Sequence, residues 1–327
     1  MVNMVTHILF ATDFSPCSAP AFRYAVEWAD IVKAKLTVVH VVSLQPGLDI
    51  DVGIAQSYLD EQRNVAQNHL DQLLSEARQH VSQASIEMRT GLPSAQICDV
   101  AREHKADLII MGTHGWTGFN RVVFGSVAER VIQRAPCPVL SIPDRSPDET
   151  ADRHSISRQP RHVVLPIDFS DCSMEAYEYA VQVAKWFDTS FTLLCAIEPP
   201  SYSLDFTLTH PLQDKSHREK IETRLQELTA LLANKGLTIQ YELVEKPSVE
   251  AILEASSAQK ADLLIMGTHA RKGLSRMLLG STTAQVLQHS SCPILTVKSP
   301  KFEGGHHPET GKEQTSVCAE SSGDLDS

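Results

Sequence analysis

Short apolar runs rich in Val, Ile and Leu alternate along this chain with longer stretches in which apolar residues return every third or fourth position. In the first half, runs at 8–12, 36–42, 85–90, 107–111 and 138–142 predict strands. The 36–42 run reads as a continuous apolar strand, the pattern of a parallel sheet covered on both faces, whereas 85–90 alternates. Residues 16–33 predict a helix, with Ala21, Tyr24, Ala25, Trp28 and Ile31 along one side. Residues 59–80 predict a second, with Val65, Leu70, Leu73 and Leu74 together. Ser94 is placed to cap a third at 95–104, and Ser126–Arg134 is a fourth. The second half repeats the order, with strands at 163–167, 191–196, 238–243, 263–266 and Ile294–Val297. Five strands separated by helices, with right-handed crossovers, give a doubly wound parallel sheet in each half.

The halves are copies. The stretch HILFATDFS from His7 to Ser15 returns as HVVLPIDFS from His162 to Ser170, an offset of 155 residues. ADLIIMGTH from Ala106 returns as ADLLIMGTH from Ala261 at the same offset, as do Gly125-Ser126 and Cys137-Pro138. Repeated domains at 1–143 and 160–298 follow, joined by a polar linker at 144–159. The tail at 299–327 is too poor in apolar residues to offset the entropy of ordering and is expected to be disordered.

Composition narrows the function classes. Hydrophobic residues make up 42% and charged residues 21%, as in ordinary globular proteins. A formal net charge of −11 disfavours wrapping nucleic acid or lying on an anionic membrane. No apolar run approaches the roughly 18–20 residues that span a bilayer, and no Lys or Arg precedes Arg23 to make a signal-peptide start. Seven cysteines without a CxxC do not form a secreted disulfide framework. The expected compartment is the cytoplasm.

In a doubly wound sheet ligands bind beyond the carboxyl ends of the strands, where strand order reverses. That directs attention to Asp13 and the 112–125 loop, and to Asp168 and the 267–280 loop. Gly112 and Gly115 would bring backbone N–H groups close to a bulky anion, and Gly125-Ser126 opens a helix whose free N–H groups and dipole favour negative charge. Asp13 would repel phosphate but can accept hydrogen bonds from ribose or a base. Together these suggest a nucleotide across the switch point. The second loop carries Arg271, Lys272 and Arg276 and no acid, equally readable as a solvated basic loop. There is no GxxxxGK[ST] phosphate loop. The chain is therefore expected to be no enzyme, with slow ATP hydrolysis and a ligand-free scaffold left open as alternatives.

The motifs Asp13 at a strand end, Gly112-x2-Gly115-x9-Gly125-Ser126, and Ala135-Pro-Cys-Pro-Val before the last strand resemble the ATP-binding branch of the universal stress protein family. The resemblance covers both halves and implies a tandem protein of that kind. It implies an adenine nucleotide alpha hydrolase-like, Rossmann-like five-stranded sheet in each half, paired through the last strands. It also implies ATP, with or without Mg2+, and a nucleotide-dependent role in stress regulation. By position Asp13 would contact ribose or adenine, the Val41 backbone would read the base, and Met111 would line its pocket. Gly112, His114, Gly115, Gly125, Ser126 and Val127 would surround the phosphates. In the second copy Asp168, Gly267, His269, Gly280, Ser281 and Thr282 remain, but Ala270 replaces Gly115. Either a weaker second ATP site or a domain kept for pairing results. Covering one exposed last strand with the other predicts an internal pseudo-dimer, with homodimerisation open. Cys137 and Cys292 read as packing thiols, Trp28 and Trp186 as packing rings, and His306-His307 as no metal site.

Overall fold

The computed structural model of the chain describes residues 5–43, 52–113, 124–143, 158–199, 211–268 and 279–298. The first half runs β1 (His7–Thr12), α1 (Ser18–Val32), β2 (Lys35–Ser43), α2 (Val52–Ala77), β3 (Ala84–Gly91), α3 (Pro93–Glu103), β4 (Leu108–Gly112), α4 (Ser126–Arg134) and β5 (Val139–Ile142). The second runs β6 (His162–Pro166), α5 (Asp171–Trp186), β7 (Ser190–Ile197), α6 (Pro211–Ala233), β8 (Thr238–Glu245), α7 (Ser248–Ala258), β9 (Leu263–Gly267), α8 (Ser281–His289) and β10 (Ile294–Val297). The strands of each half are parallel to one another, and every residue of β1 is buried. Helices on both faces account for this, because a central strand then has no wet side.

The two half-sheets join. β5 pairs antiparallel with β10, setting Leu140 opposite Leu295, and the strands form one ten-stranded sheet in the order β3-β2-β1-β4-β5-β10-β9-β6-β7-β8. Both leucines are fully buried. Thr296 donates its hydroxyl to the Val139 carbonyl at 3.2 Å, and Lys298 Nζ donates to the Ala135 carbonyl at 3.0 Å. Helices α1, α2, α5 and α6 cover one face with a single apolar cluster, and α3, α4, α7 and α8 cover the other.

Aromatic residues reach across the join on the α1/α5 face. Trp28 lies 5.1 Å from the ring of Phe187 and 6.4 Å from that of Trp186, and its Nε1 donates to the Arg158 carbonyl at 3.0 Å. The contact is reciprocal, as a two-fold relation requires. Burial pushes the Tyr24 hydroxyl up to about 12, with Asp262 and Cys292 of the second half among the neighbours that act on it. Its repeat partner Tyr179, also pushed up by burial, feels Cys137 and Asp107 of the first. Trp28 and Trp186 are thus packing rings, and burial likewise raises the Cys292 thiol.

Several boundaries differ from the sequence pattern. α2 begins at Val52, seven residues before the expected start, because extending a formed helix costs little. Ser94 does not cap α3. Pro93 takes the first helical position, which its fixed φ suits, so the cap falls on Leu92 and the buried Ser94 hydroxyl has no hydrogen-bond partner. In the second half β6 pairs with β9 only at Val163 and Val164, while β1 pairs with β4 over four positions. Pro166, which has no N–H to donate, stands where Ala11 pairs with Met111. Among the described residues no helix is long and apolar enough to cross a membrane. The expected tail and most of the expected linker lie outside the described residues.

Candidate functional site

The chain enters at β1, winds outward through β2 and β3, then returns to place β4 on the other side of β1. The carboxyl ends of β1 and β4 are therefore neighbours at the point where strand order reverses, with Ala11 beside Met111. Asp13 follows β1 directly and is partly exposed. Its Oδ1 accepts the Ser15 N–H at 3.0 Å, which folds the chain back into α1. Val41 lies one position beyond the His40–Thr12 pairing, at the end of β2. Val41 and Met111 are buried in the apolar cluster under α3 and α4, and Val127 packs against the same cluster.

Thr113 ties the start of α4 to the sheet. Its N–H donates to the Ile142 carbonyl at 3.0 Å, and its carbonyl accepts the Gly125 N–H at 2.8 Å. The helix N-terminus of α4 is thereby fixed beside the end of β4. Gly125 is its cap and supplies no side-chain hydrogen bond. The first bond of the helix runs from Glu129 N–H to the Gly125 carbonyl. The N–H groups of Ser126, Val127 and Ala128 have no intrahelical partner and form the positive end of the helix dipole. Ser126 is exposed.

Two expected roles change. Gly125 does not offer its amide to an anion, because Thr113 already takes it. Gly112 is the last residue of β4, and a Cβ there would stand 3.0 Å from the Cys17 carbonyl oxygen. Its missing side chain lets the start of α1 approach the strand. Gly267 is tighter still, with a Cβ 2.7 Å from the Cys172 carbonyl carbon. Both glycines are explained by helix packing. His114, Gly115, His269 and Ala270 lie outside the described residues.

The second copy rebuilds the same ground plan. Asp168 Oδ1 accepts the Ser170 N–H at 3.0 Å and its hydroxyl at 2.6 Å, and Ser170 caps α5. The Thr268 carbonyl takes the Gly280 N–H at 2.8 Å. Ser281 and Thr282 open α8, and the buried Thr283 hydroxyl, where the first copy has Ala128, donates to the Gly267 carbonyl at 2.9 Å.

One feature of the site was not visible in the pattern. The residue after each carboxylate, Phe14 and Phe169, has left-handed backbone, with φ of 60° and 59°. A bulky side chain there costs about 1–3 kcal/mol, which the surroundings must offset. Phe14 stacks on His40 at 4.2 Å between ring centroids, and His69 of α2 meets it at 4.9 Å. The repeated Asp-Phe-Ser was the available signal, but a backbone angle does not show in residue type.

Burial holds the His40 imidazole below its ordinary range, and it does the same for His7 at the other end of the sheet. Each is favoured neutral in the folded chain, so the stability they contribute is complete above the ordinary value of about 6.5 and is lost as pH falls below it. The melting temperature of the ligand-free protein is therefore expected to drop on acidification below neutrality, by on the order of a few degrees. The drop should be shallower in a His7→Gln, His40→Gln double variant, as scanning calorimetry at a series of pH values would record. Equal slopes would remove the histidines from the account.

The family model described as the universal stress protein family matches residues 4–143 and 160–298. Universal stress protein MJ0531 of Methanocaldococcus jannaschii is 33% identical over 144 residues, covering 44% of the chain and 85% of that relative. A crystal structure of a universal stress protein from Archaeoglobus fulgidus covers 90% of the chain and 97% of its own, with a TM-score of 0.66 at 21% identity, a likeness of fold. A universal stress protein solved in complex with cAMP aligns with 44% of the chain and all of its own length at 22% identity, with a TM-score of 0.32.

Proposed function

The chain belongs to the universal stress protein family over both of its halves, and on that footing we propose that it binds ATP in the first half and acts as a nucleotide-dependent regulator rather than as an enzyme. The observation that carries this reading is the pairing of two opposite chemistries at one switch point. Asp13 offers a carboxylate at the end of β1. Across the strand end, the α4 N-terminus offers amides that no side chain caps. A ligand that satisfies both needs hydrogen-bond donors at one end and negative charge at the other. A nucleoside polyphosphate has its ribose hydroxyls and its phosphates so arranged.

In this reading Asp13 accepts from the ribose, the Val41 backbone contacts the base, Met111 supplies apolar lining, and the Ser126 and Val127 amides with the Ser126 hydroxyl meet the phosphates. Mg2+ enters with the phosphates, as magnesium commonly does. Occupancy would act by favouring one conformation or partner over another. His114 and Gly115 are assigned to the phosphate side on the family pattern alone.

For the second half two outcomes remain in play, a weaker ATP site or a domain retained for pairing.

Asp13→Ala should weaken ATP binding by the full chain about tenfold or more, the worth of a charge-assisted hydrogen bond. Calorimetric titration checks this, with Asp168→Ala alongside. An unchanged affinity in Asp13→Ala would place the nucleotide elsewhere.

A further inference from the structure

The two copies fold the turn after their carboxylates alike but use its hydroxyl groups differently. The phenylalanine that follows each carboxylate has φ of 60° or 59°, and the N–H of the next residue donates to Oδ1 at 3.0 Å in both. The serines that carry those N–H groups, Ser15 and Ser170, then diverge. The Ser170 hydroxyl accepts the Ser173 N–H at 3.3 Å, which caps α5, and donates to Asp168 Oδ1 at 2.6 Å. The Ser15 hydroxyl is buried and has no hydrogen-bond partner.

Replacements around the turn account for the difference. Pro16 stands where Asp171 opens α5, and α1 begins only at Ser18. The Ser18 N–H and hydroxyl both donate to the Ser15 carbonyl, at 3.0 Å and 2.8 Å, so the Ser15 side chain is not used as a cap. Thr12, which is Ile167 in the second copy, accepts the Phe14 N–H at 3.0 Å, and its hydroxyl lies 3.1 Å from that of Ser18. A carboxylate oxygen has two lone pairs for hydrogen bonds. At Asp168 Oδ1 both are taken by Ser170. A ligand hydroxyl arriving at this oxygen must displace a charge-assisted bond, which is stronger than a neutral one. We propose that Ser170 is a specificity-determining residue, whose hydroxyl masks Asp168 and makes the second half the weaker nucleotide site. Thr12 and Ser18 hold the corresponding turn of the first half without drawing the Ser15 hydroxyl onto Asp13. The inference rests on the nucleotide reading of the site and says why the halves are unequal.

The test reads the second half through Asp13→Ala, which removes the carboxylate of the first. Calorimetric titration of the full chain with ATP compares Asp13→Ala alone with Asp13→Ala plus Ser170→Ala. The added substitution should raise the affinity about fivefold or more, the worth of the displaced hydrogen bond. Losing a cap destabilises a helix and does not tighten a ligand, so a gain reports the unmasked carboxylate. Adding Asp168→Ala to the pair should abolish the gain. Where Ser170→Ala fails to fold, Ser170→Gly takes its place, because glycine costs a helix start much less than alanine does. In the converse pair, Asp168→Ala with and without Ser15→Ala should bind ATP equally, since the Ser15 hydroxyl gives nothing to Asp13; a gain there would overturn the contrast between the copies. Equal affinities with and without the Ser170 substitution, in a chain whose wild type binds ATP, would overturn the proposal and leave the nucleotide reading intact. So would a gain that survives Asp168→Ala. A wild type that gives no heat with ATP would remove the nucleotide reading and the proposal with it.

Discussion

Trp28→Ala is expected to destabilise the chain by about 3–5 kcal/mol, the range for emptying a buried tryptophan site. Trp28 is 1% exposed and is the largest fully buried side chain among the described residues. Its neighbours are Trp186 and Phe187 at the end of α5, so the cavity would open between the halves rather than inside one. The Nε1 bond to the Arg158 carbonyl would go as well, leaving Glu27 of α1 to hold the Arg158 N–H and guanidinium. Since one apolar cluster runs under both halves, the wild type should melt in a single calorimetric transition. Trp28→Ala should melt in two, with the lower one well below the original. Trp28→Phe should retain most of the packing and lose the hydrogen bond. A single, scarcely shifted transition in Trp28→Ala would mean that the aromatic cluster does not join the halves.

Gly267→Val should cost about 3 kcal/mol or more, as overpacking against a surface that cannot yield does. A Cβ at Gly267 meets Cys172 three times over, with its carbonyl carbon at 2.7 Å and its Cβ and carbonyl oxygen at 2.8 Å. Backbone of α5 cannot turn aside as a flexible side chain can, so the helix start must lift from β9. At Gly112 the nearest atom is the Cys17 carbonyl oxygen at 3.0 Å, a contact that a shift of a few tenths of an ångström relieves. Gly112→Ala should therefore be milder than Gly267→Ala, and urea denaturation of the pair decides it. Equal and small losses would mean that α5 stands further from β9 than described.

The fold class is legible in the sequence for a physical reason. Strands buried on both faces, such as β1 and β4, need apolar residues at every position, so their runs stand out without alternation. The offset of 155 residues then doubles every inference. The site is legible in outline, since the strand ends determine where Asp13, Val41 and Met111 stand. What escapes are properties not encoded in residue type. A serine before a helix looks like a cap, but Pro93 shifts the helix start past Ser94. A glycine near a loop looks like room for phosphate, but Gly112 and Gly267 make room for a helix. Gly125 looks like an anion-binding amide, but the Thr113 carbonyl takes its N–H. Contacts between residues far apart in sequence, such as Trp28 with Phe187, have no local signature at all.

The most direct measurement is to purify the full chain, denature it, and identify by mass spectrometry and absorbance whatever small molecule is released, with calorimetric titration of the ligand-free protein beside it. The account predicts an adenine nucleotide at about one per chain, held in the half that carries Asp13, and heat on adding ATP. A chain that releases no nucleotide, and gives no heat with any purine mono-, di- or triphosphate, would contradict it.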